Sequence, residues 1–305
     1  MTTAVPLTTA TTDLVAEKPT TASIAKKRLS RPWASLTAII IAVLWTLPTF
    51  GLLVSSFRPE RAIKTTGWWT FFSNPTLTLE NYRAVFNADT GVNLGNFFVN
   101  SLVICIPSVL IPLCLAALSA YAFAWIKFPG RDLLFLAIIA LQIVPLQVTL
   151  VPLLELYVHA HLTGTFWTLW LSHSTFALPL AIYLLHNFIK EVPPTLIEAA
   201  RVDGAGHVAI FFKVMLPLLT PALAAFGIFQ FLWVWNDLLV ALTFAGGGDS
   251  VAPITLQLAN LSGTRGTAWQ LLSAGAFVSI AVPVTVFLLL QRYFVRGLLA
   301  GSVKG

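Results

Sequence analysis

Few side chains in this sequence are equipped for chemistry, and most of them stand inside apolar runs. Asp237 follows Asn236 within WVWNDLLVAL, and Glu155 sits late in another such run. A carboxylate in apolar surroundings faces a cavity or a partner, or lies near enough to a surface to be hydrated. Asn236 and Asp237 therefore mark either a polar pathway or the hydrated end of a span. Glu155 reads as hydrated, because His159 and His161 follow it closely. Gln142, Gln147, Ser172, His173 and Ser174 add polar groups that either line a route or bond neighbouring helices. Gln142, Gln147, Asn236 and Asp237 form the candidate substrate pathway. The densest charged group lies elsewhere, where Glu198, Arg201 and Asp203 stand among Ala199, Ala200 and Gly204.

None of these residues forms a recognisable catalytic set. GxxxxGK[ST], HExxH and GxSxG are absent, so the chain has no phosphate-cradling loop, zinc-protease helix or nucleophile elbow of its own. Cys105 and Cys114 are nine residues apart, about 2.5 helical turns, and point to opposite sides of one helix. They form no disulfide, and no CxxC or Cys/His cluster indicates a metal. No metal site, cofactor or enzymatic activity is expected. The sequon Asn260-Leu261-Ser262 is too short to carry weight. The net charge of +6 comes without a basic-aromatic patch, which excludes a nucleic-acid partner.

The elements that must position these residues follow from composition. Hydrophobic residues make up 57% of the 305 and charged residues 10%, against about 25% charged in soluble domains. Lipid as solvent explains the deficit, since a spanning helix needs about 20 mostly apolar residues. Six runs meet that need: Ala34–Ser55, Phe98–Trp125, Leu133–Tyr157, Thr165–Ile189, Leu216–Phe244 and Gln270–Phe294. An all-α protein with six transmembrane helices is the expected fold. Prolines inside the runs, among them Pro107, Pro112, Pro145, Pro152 and Pro179, fit either a kinked bundle around a pathway or plain packing kinks.

Orientation follows from Lys and Arg. With the N-terminus in the cytoplasm, thirteen basic residues lie inside and five outside, so both termini are expected in the cytoplasm. Residues 1–31, Thr-rich and then basic, read as a disordered cytoplasmic tail and not a cleavable signal. Residues 32–97 hold the first span and an outside loop. Residues 98–305 form the core, with a cytoplasmic loop over 190–217.

That loop holds the Glu198 patch. Thr195 and Glu198 have the spacing of a capping box, and Gly204 and Gly206 end the short helix. Val208, Phe211, Phe212 and Met215 recur at i, i+3, i+4 and i+7, as one apolar stripe of a second helix. Pro217 and Pro221 then open span five. Glu198-Ala199-Ala200, Gly204 and Val214-Met215-Leu216-Pro217 closely resemble the EAA motif of ABC-importer permeases, with Val214 in place of isoleucine. AYAFAWIKFPGRDLLF, VPLQVTLVPL and QRYFVRGLLAGSVKG resemble the maltose-permease-like, carbohydrate-importing branch, and the resemblance covers about 81–305.

The resemblance implies the type I ABC importer permease fold in a bacterial or archaeal cytoplasmic membrane. It implies a second, related permease, two cytoplasmic ATPase subunits and an extracytoplasmic sugar-binding protein as partners. Carried onto this chain, Glu198, Ala199, Ala200, Asp203 and Gly204 contact the ATPase. Residues 301–305 reach between the ATPases, and the loop 245–269 reaches toward the binding protein. The implied substrate is an oligosaccharide or α-glucoside, with polyols and glycerol-phosphate importers sharing the pattern. An ion-coupled secondary transporter, with Asp237 as ion ligand, is the competing reading. Whether Glu198 acts as helix cap or as contact is open from the residues alone.

Overall fold

The computed structural model describes residues 32–87, 92–246, 248–263 and 268–300. The expectations for the tail 1–31, for the end 301–305, and for parts of the 245–269 loop lie wholly or partly outside them. The described residues are helical throughout, with no strand among them. In chain order they form α1 (Pro32–Ser56), α2 (Glu60–Thr65), a tight turn (Trp68–Phe72), α3 (Glu80–Phe86), α4 (Leu94–Trp125) and α5 (Arg131–Ala140). There follow α6 (Leu146–His159), α7 (Phe166–Lys190), α8 (Pro194–Val202), α9 (His207–Trp235), α10 (Leu239–Phe244), α11 (Ile254–Gly263) and α12 (Trp269–Ala300).

The chain divides into two units, one ending at Leu52 and one beginning at Leu53. In the first, α1 exposes apolar side chains all round, such as Ile41, Leu44 and Trp45. Its Thr37 and Thr46 hydroxyls donate to carbonyls one turn back, which spares lipid those two donors.

Among the described residues, five helices are long and apolar enough to cross a membrane, α1, α4, α7, α9 and α12, and the bent pair α5–α6, taken as one span, makes a sixth. Span three, expected over Leu133–Tyr157, is a pair of helices and not one continuous helix. The helix breaks after a short tight turn at Leu141–Ile143, and α6 leaves at 103°. Pro145 sets this break. It forces Val144 into an extended conformation (φ −72°, ψ 120°) and has no N–H to continue the ladder.

Span five also departs from expectation. It begins at His207 and ends at Trp235, ahead of the Asn236–Asp237 break and α10. Pro217 opens no new helix. The stretch Phe211–Met215 widens into a π turn in which the Leu216 N–H reaches the Phe211 carbonyl. Pro217 cannot supply the N–H that the Lys213 carbonyl would take in an α-helix, and the wider turn absorbs that mismatch without stopping the helix.

The second unit has two apolar cores. One gathers Ala117, Tyr121, Leu185, Ile189, Ile197, Phe211 and Met215 from α4, α7, α8 and α9. The other gathers Leu94, Phe97, Leu169, Trp235, Phe244, Ile254 and Ala274. Between them, α4, α7 and α9 each contribute buried polar residues, Ser108, His173 with Ser174, and Gln230.

The segment after α1 is rigidly tied. Arg58 is buried and donates to the Ala62 and Thr66 carbonyls and to the hydroxyls of Thr66 (2.6 Å) and Thr70 (3.1 Å). The Asn81 amide donates to the Ser56 and Arg58 carbonyls, at 2.9 and 2.8 Å.

Candidate functional site

The Glu198 patch forms α8. Pro194 starts this helix two residues earlier than the capping-box reading requires, with its fixed φ suited to the first turn. Thr195 is therefore inside the helix, and no side chain caps it. Glu198 does not act as a cap partner. Its side chain is exposed, with those of Ala199, Arg201 and Asp203 beside it. One residue, Ile197, buries this helix and is 1% exposed in the core with Ile189, Ile210 and Phe211.

The end of α8 explains Gly204. The Gly204 N–H donates to the Arg201 carbonyl at 2.9 Å, and the Ala205 N–H to the Ala200 carbonyl at 2.9 Å. That pair of bonds is the Schellman closure, which needs a left-handed residue at the turn. Gly204 supplies it with φ +80°. A Cβ at Gly204 would meet nothing within 4 Å, so the face is open to an approaching surface.

The helix that follows is α9 itself, so the patch hangs directly on a span. Over its first nine residues the buried side chains are Ile210, Phe211 and Met215, whereas Val208 and Phe212 are 73% and 57% exposed. The single stripe of Val208, Phe211, Phe212 and Met215 is thus not formed. Its spacing assumed 3.6 residues per turn, and the π turn shifts the phase. Two residues that the sequence reading missed hold this junction. The Tyr121 hydroxyl, from the last turn of α4, lies 3.0 Å from His207 Nδ1, and its ring packs edge-on against His207 and Phe211. The signal available was AYAFAW, a hydroxyl in an otherwise apolar helix end.

The candidate pathway residues are not brought together. Gln142 lines a cavity of about 610 Å³ with Thr149, Leu153, Thr175, Phe176, Pro179 and Trp233 among its walls. Gln147 is exposed and outside that lining. Asn236 donates to the Leu232 carbonyl of its own helix at 2.7 Å. Asp237 is used structurally. Its carboxylate accepts the Val240 N–H at 3.4 Å and the Ala241 N–H at 3.2 Å, which serves the first turn of α10. The Thr255 hydroxyl donates to its carbonyl at 2.6 Å, and His173 Nε2 lies 3.9 Å from its carboxylate. Among the described residues, no group of three His, Cys, Asp or Glu side chains could hold a metal ion.

A polar layer crosses the bundle interior. The Gln230 amide donates to the Ser108 carbonyl at 3.3 Å, and the Tyr157 and Ser172 hydroxyls share a bond of 3.0 Å. Polar groups at this depth face the bundle and not lipid, as their desolvation demands.

Five apolar helices and a bent pair among the described residues, with a cavity beside the bend and a charged helix mounted on a span, define a multi-pass membrane protein. Residues 113–299 match the family model described as binding-protein-dependent transport system inner membrane component. The chain belongs to that family, the membrane permeases of ABC importers, and has the type I importer permease fold. It is 53% identical over 273 residues to the osmoprotective compounds uptake permease protein GgtD of Synechocystis sp., covering 88% of this chain and 91% of that protein. It is 38% identical to the alpha-glucoside transport system permease protein AglG of Rhizobium meliloti, covering 92% and 99%. A bacterial ABC transporter importing alginate has a chain of the same fold, with a TM-score of 0.72 at 18% identity, covering 92% of this chain and all of that one.

Proposed function

We propose that this chain is one of two permease subunits of an ATP-driven importer for α-glucosides or related oligosaccharides. Both termini lie in the cytoplasm, two ATPase subunits dock beneath the permease pair, and residues 190–217 are this subunit's part of the docking site. One observation carries the reading: an exposed, charged helix, α8, is closed by a Schellman glycine and continues within a few residues into a spanning helix. A chain without a phosphate-cradling loop must receive energy by contact, and a rigid element joined to a span can shift a two-state bundle. Glu198, Ala199, Ala200, Asp203 and Gly204 form the contact face, with Glu198 as a partner for an ATPase basic group.

The broken third span supports the second permease. Leu141, Ile143 and Val144 are exposed at 61%, 82% and 46% beside non-helical backbone. Such backbone is tolerated at membrane depth only against protein or a water-filled cavity. The substrate route then passes the Gln142 cavity, shared with the second permease. Asp237, committed to the α10 backbone, has no part in ion coupling. The extracytoplasmic binding protein delivers the solute, and the loop 245–269 faces it.

The test replaces Glu198 by Lys and Gly204 by Trp in the complete complex. ATP-driven uptake falls at least tenfold while the spans stay folded. Normal uptake with the ATPases still bound overturns the coupling assignment. The 53% identical relative favours a second reading of the substrate, an osmoprotective solute. Thermal stabilisation of the partner binding protein by maltose and maltotriose, and not by betaine, trehalose or sucrose, selects the oligosaccharide reading.

A further inference from the structure

We infer that Tyr121 is a positioning residue that carries movement of the coupling segment into α4, a helix that the segment does not adjoin in sequence. The inference rests on the coupling role proposed for α8. The segment is continuous in the chain with α7 on one side and with α9 on the other. Its link to α4 is made by contact, through a side-chain hydrogen bond across 86 residues of chain.

The geometry is that of a clamp. Tyr121 is 4% exposed. Its ring centroid lies 5.4 Å from that of Phe211 and 6.0 Å from that of His207, both edge-on. A phenylalanine would fill the same space, so the ring alone explains the packing and leaves the hydroxyl unexplained. That hydroxyl meets Nδ1 of His207, the first residue of α9 after the Gly204–Gly206 turn. A buried tyrosine hydroxyl needs a partner, and this one selects the residue that moves first when α8 is displaced. Apolar ring contacts let two surfaces slide. A hydrogen bond weakens steeply with distance and angle, so it couples rotation of the α9 start to the end of α4. α4 in turn packs along α7, so both flanks of the bundle would follow.

The experiment uses the full complex in proteoliposomes, measuring solute imported per ATP hydrolysed. The variants are Tyr121→Phe, His207→Leu, the double variant, and His207→Asn, whose amide keeps a polar atom near the Nδ1 position. Tyr121→Phe is expected to lower solute per ATP about three- to tenfold, the span of one net hydrogen bond. His207→Leu gives the same loss, the double variant is no worse than either single one, and His207→Asn restores most of it. An unchanged ratio in Tyr121→Phe, or losses that multiply in the double variant, overturns the inference. Should Tyr121→Phe fail to assemble, the His207→Leu and His207→Asn pair decides by the same ratio. Glu198→Lys is run alongside. If it abolishes uptake while Tyr121→Phe does not alter the ratio, only the positioning role falls. If Glu198→Lys transports normally in an intact complex, the coupling role falls, and the inference with it.

Discussion

Gly204 and Gly206 sit two residues apart and have different duties. Gly204 holds φ +80° with open space around it, so Gly204→Ala is expected to destabilise by about 1 kcal/mol through backbone strain alone. Gly206 begins α9 at φ −75°, where a serine is a better cap, so Gly206→Ser is neutral or stabilising. Thermal unfolding of the two variants in detergent checks the contrast. Asp237 gives a second test at this scale. Asp237→Asn keeps an acceptor for the Val240 and Ala241 N–H groups and should leave uptake within about twofold, whereas Asp237→Leu loses about 1 kcal/mol of capping. Uptake that collapses in Asp237→Asn would contradict the structural role. Motif spacing placed Glu198 on a short helix and Gly204 at its end, as observed, because a glycine after a charged helix is a local signal. The role of Asp237 was not legible, because its partners are backbone groups of a helix too short to show a period. Thr195 was misread because Pro194 starts the helix first.

The elements were legible where lipid imposes length, and less so where backbone geometry departs from an α-helix. All six apolar runs became helices, and Pro145 marked the break in the third. The 103° bend itself needs the packing of α5 and α6 to be fixed. The π turn at Phe211–Met215 left no periodic trace and moved Val208 and Phe212 out of the expected stripe. That shift is measurable. Met215→Ala, from a fully buried site, should cost about 2–5 kcal/mol. Val208→Ala should change stability by under about 0.5 kcal/mol. Denaturant unfolding that ranked the two in the opposite order would restore the simple stripe. The broken span gives a further test. In a Cys114→Ser background, Gln142→Cys should react with a membrane-impermeant maleimide in the resting or the ATP-bound complex. Cys105, 1% exposed, should stay silent. Labelling of Gln142→Cys only after the membrane is dissolved would place the break against lipid or dry protein.

At the scale of the molecule, two apolar cores are joined through a thin polar layer, and one of them encloses the root of α8. Ile197, Phe211 and Met215 share that core with Tyr121 and Ile189, so α8 packs against three spans, as the proposed coupling role requires. The central claim is therefore that energy enters by contact from ATPases. Uptake by the complete complex in proteoliposomes, with ATP inside or outside and ion gradients set independently, tests it most directly. The account predicts uptake that requires ATP on the side of α8 and is unchanged when ionophores remove every ion gradient. Uptake that proceeds without ATP and stops with the ionophores would contradict it.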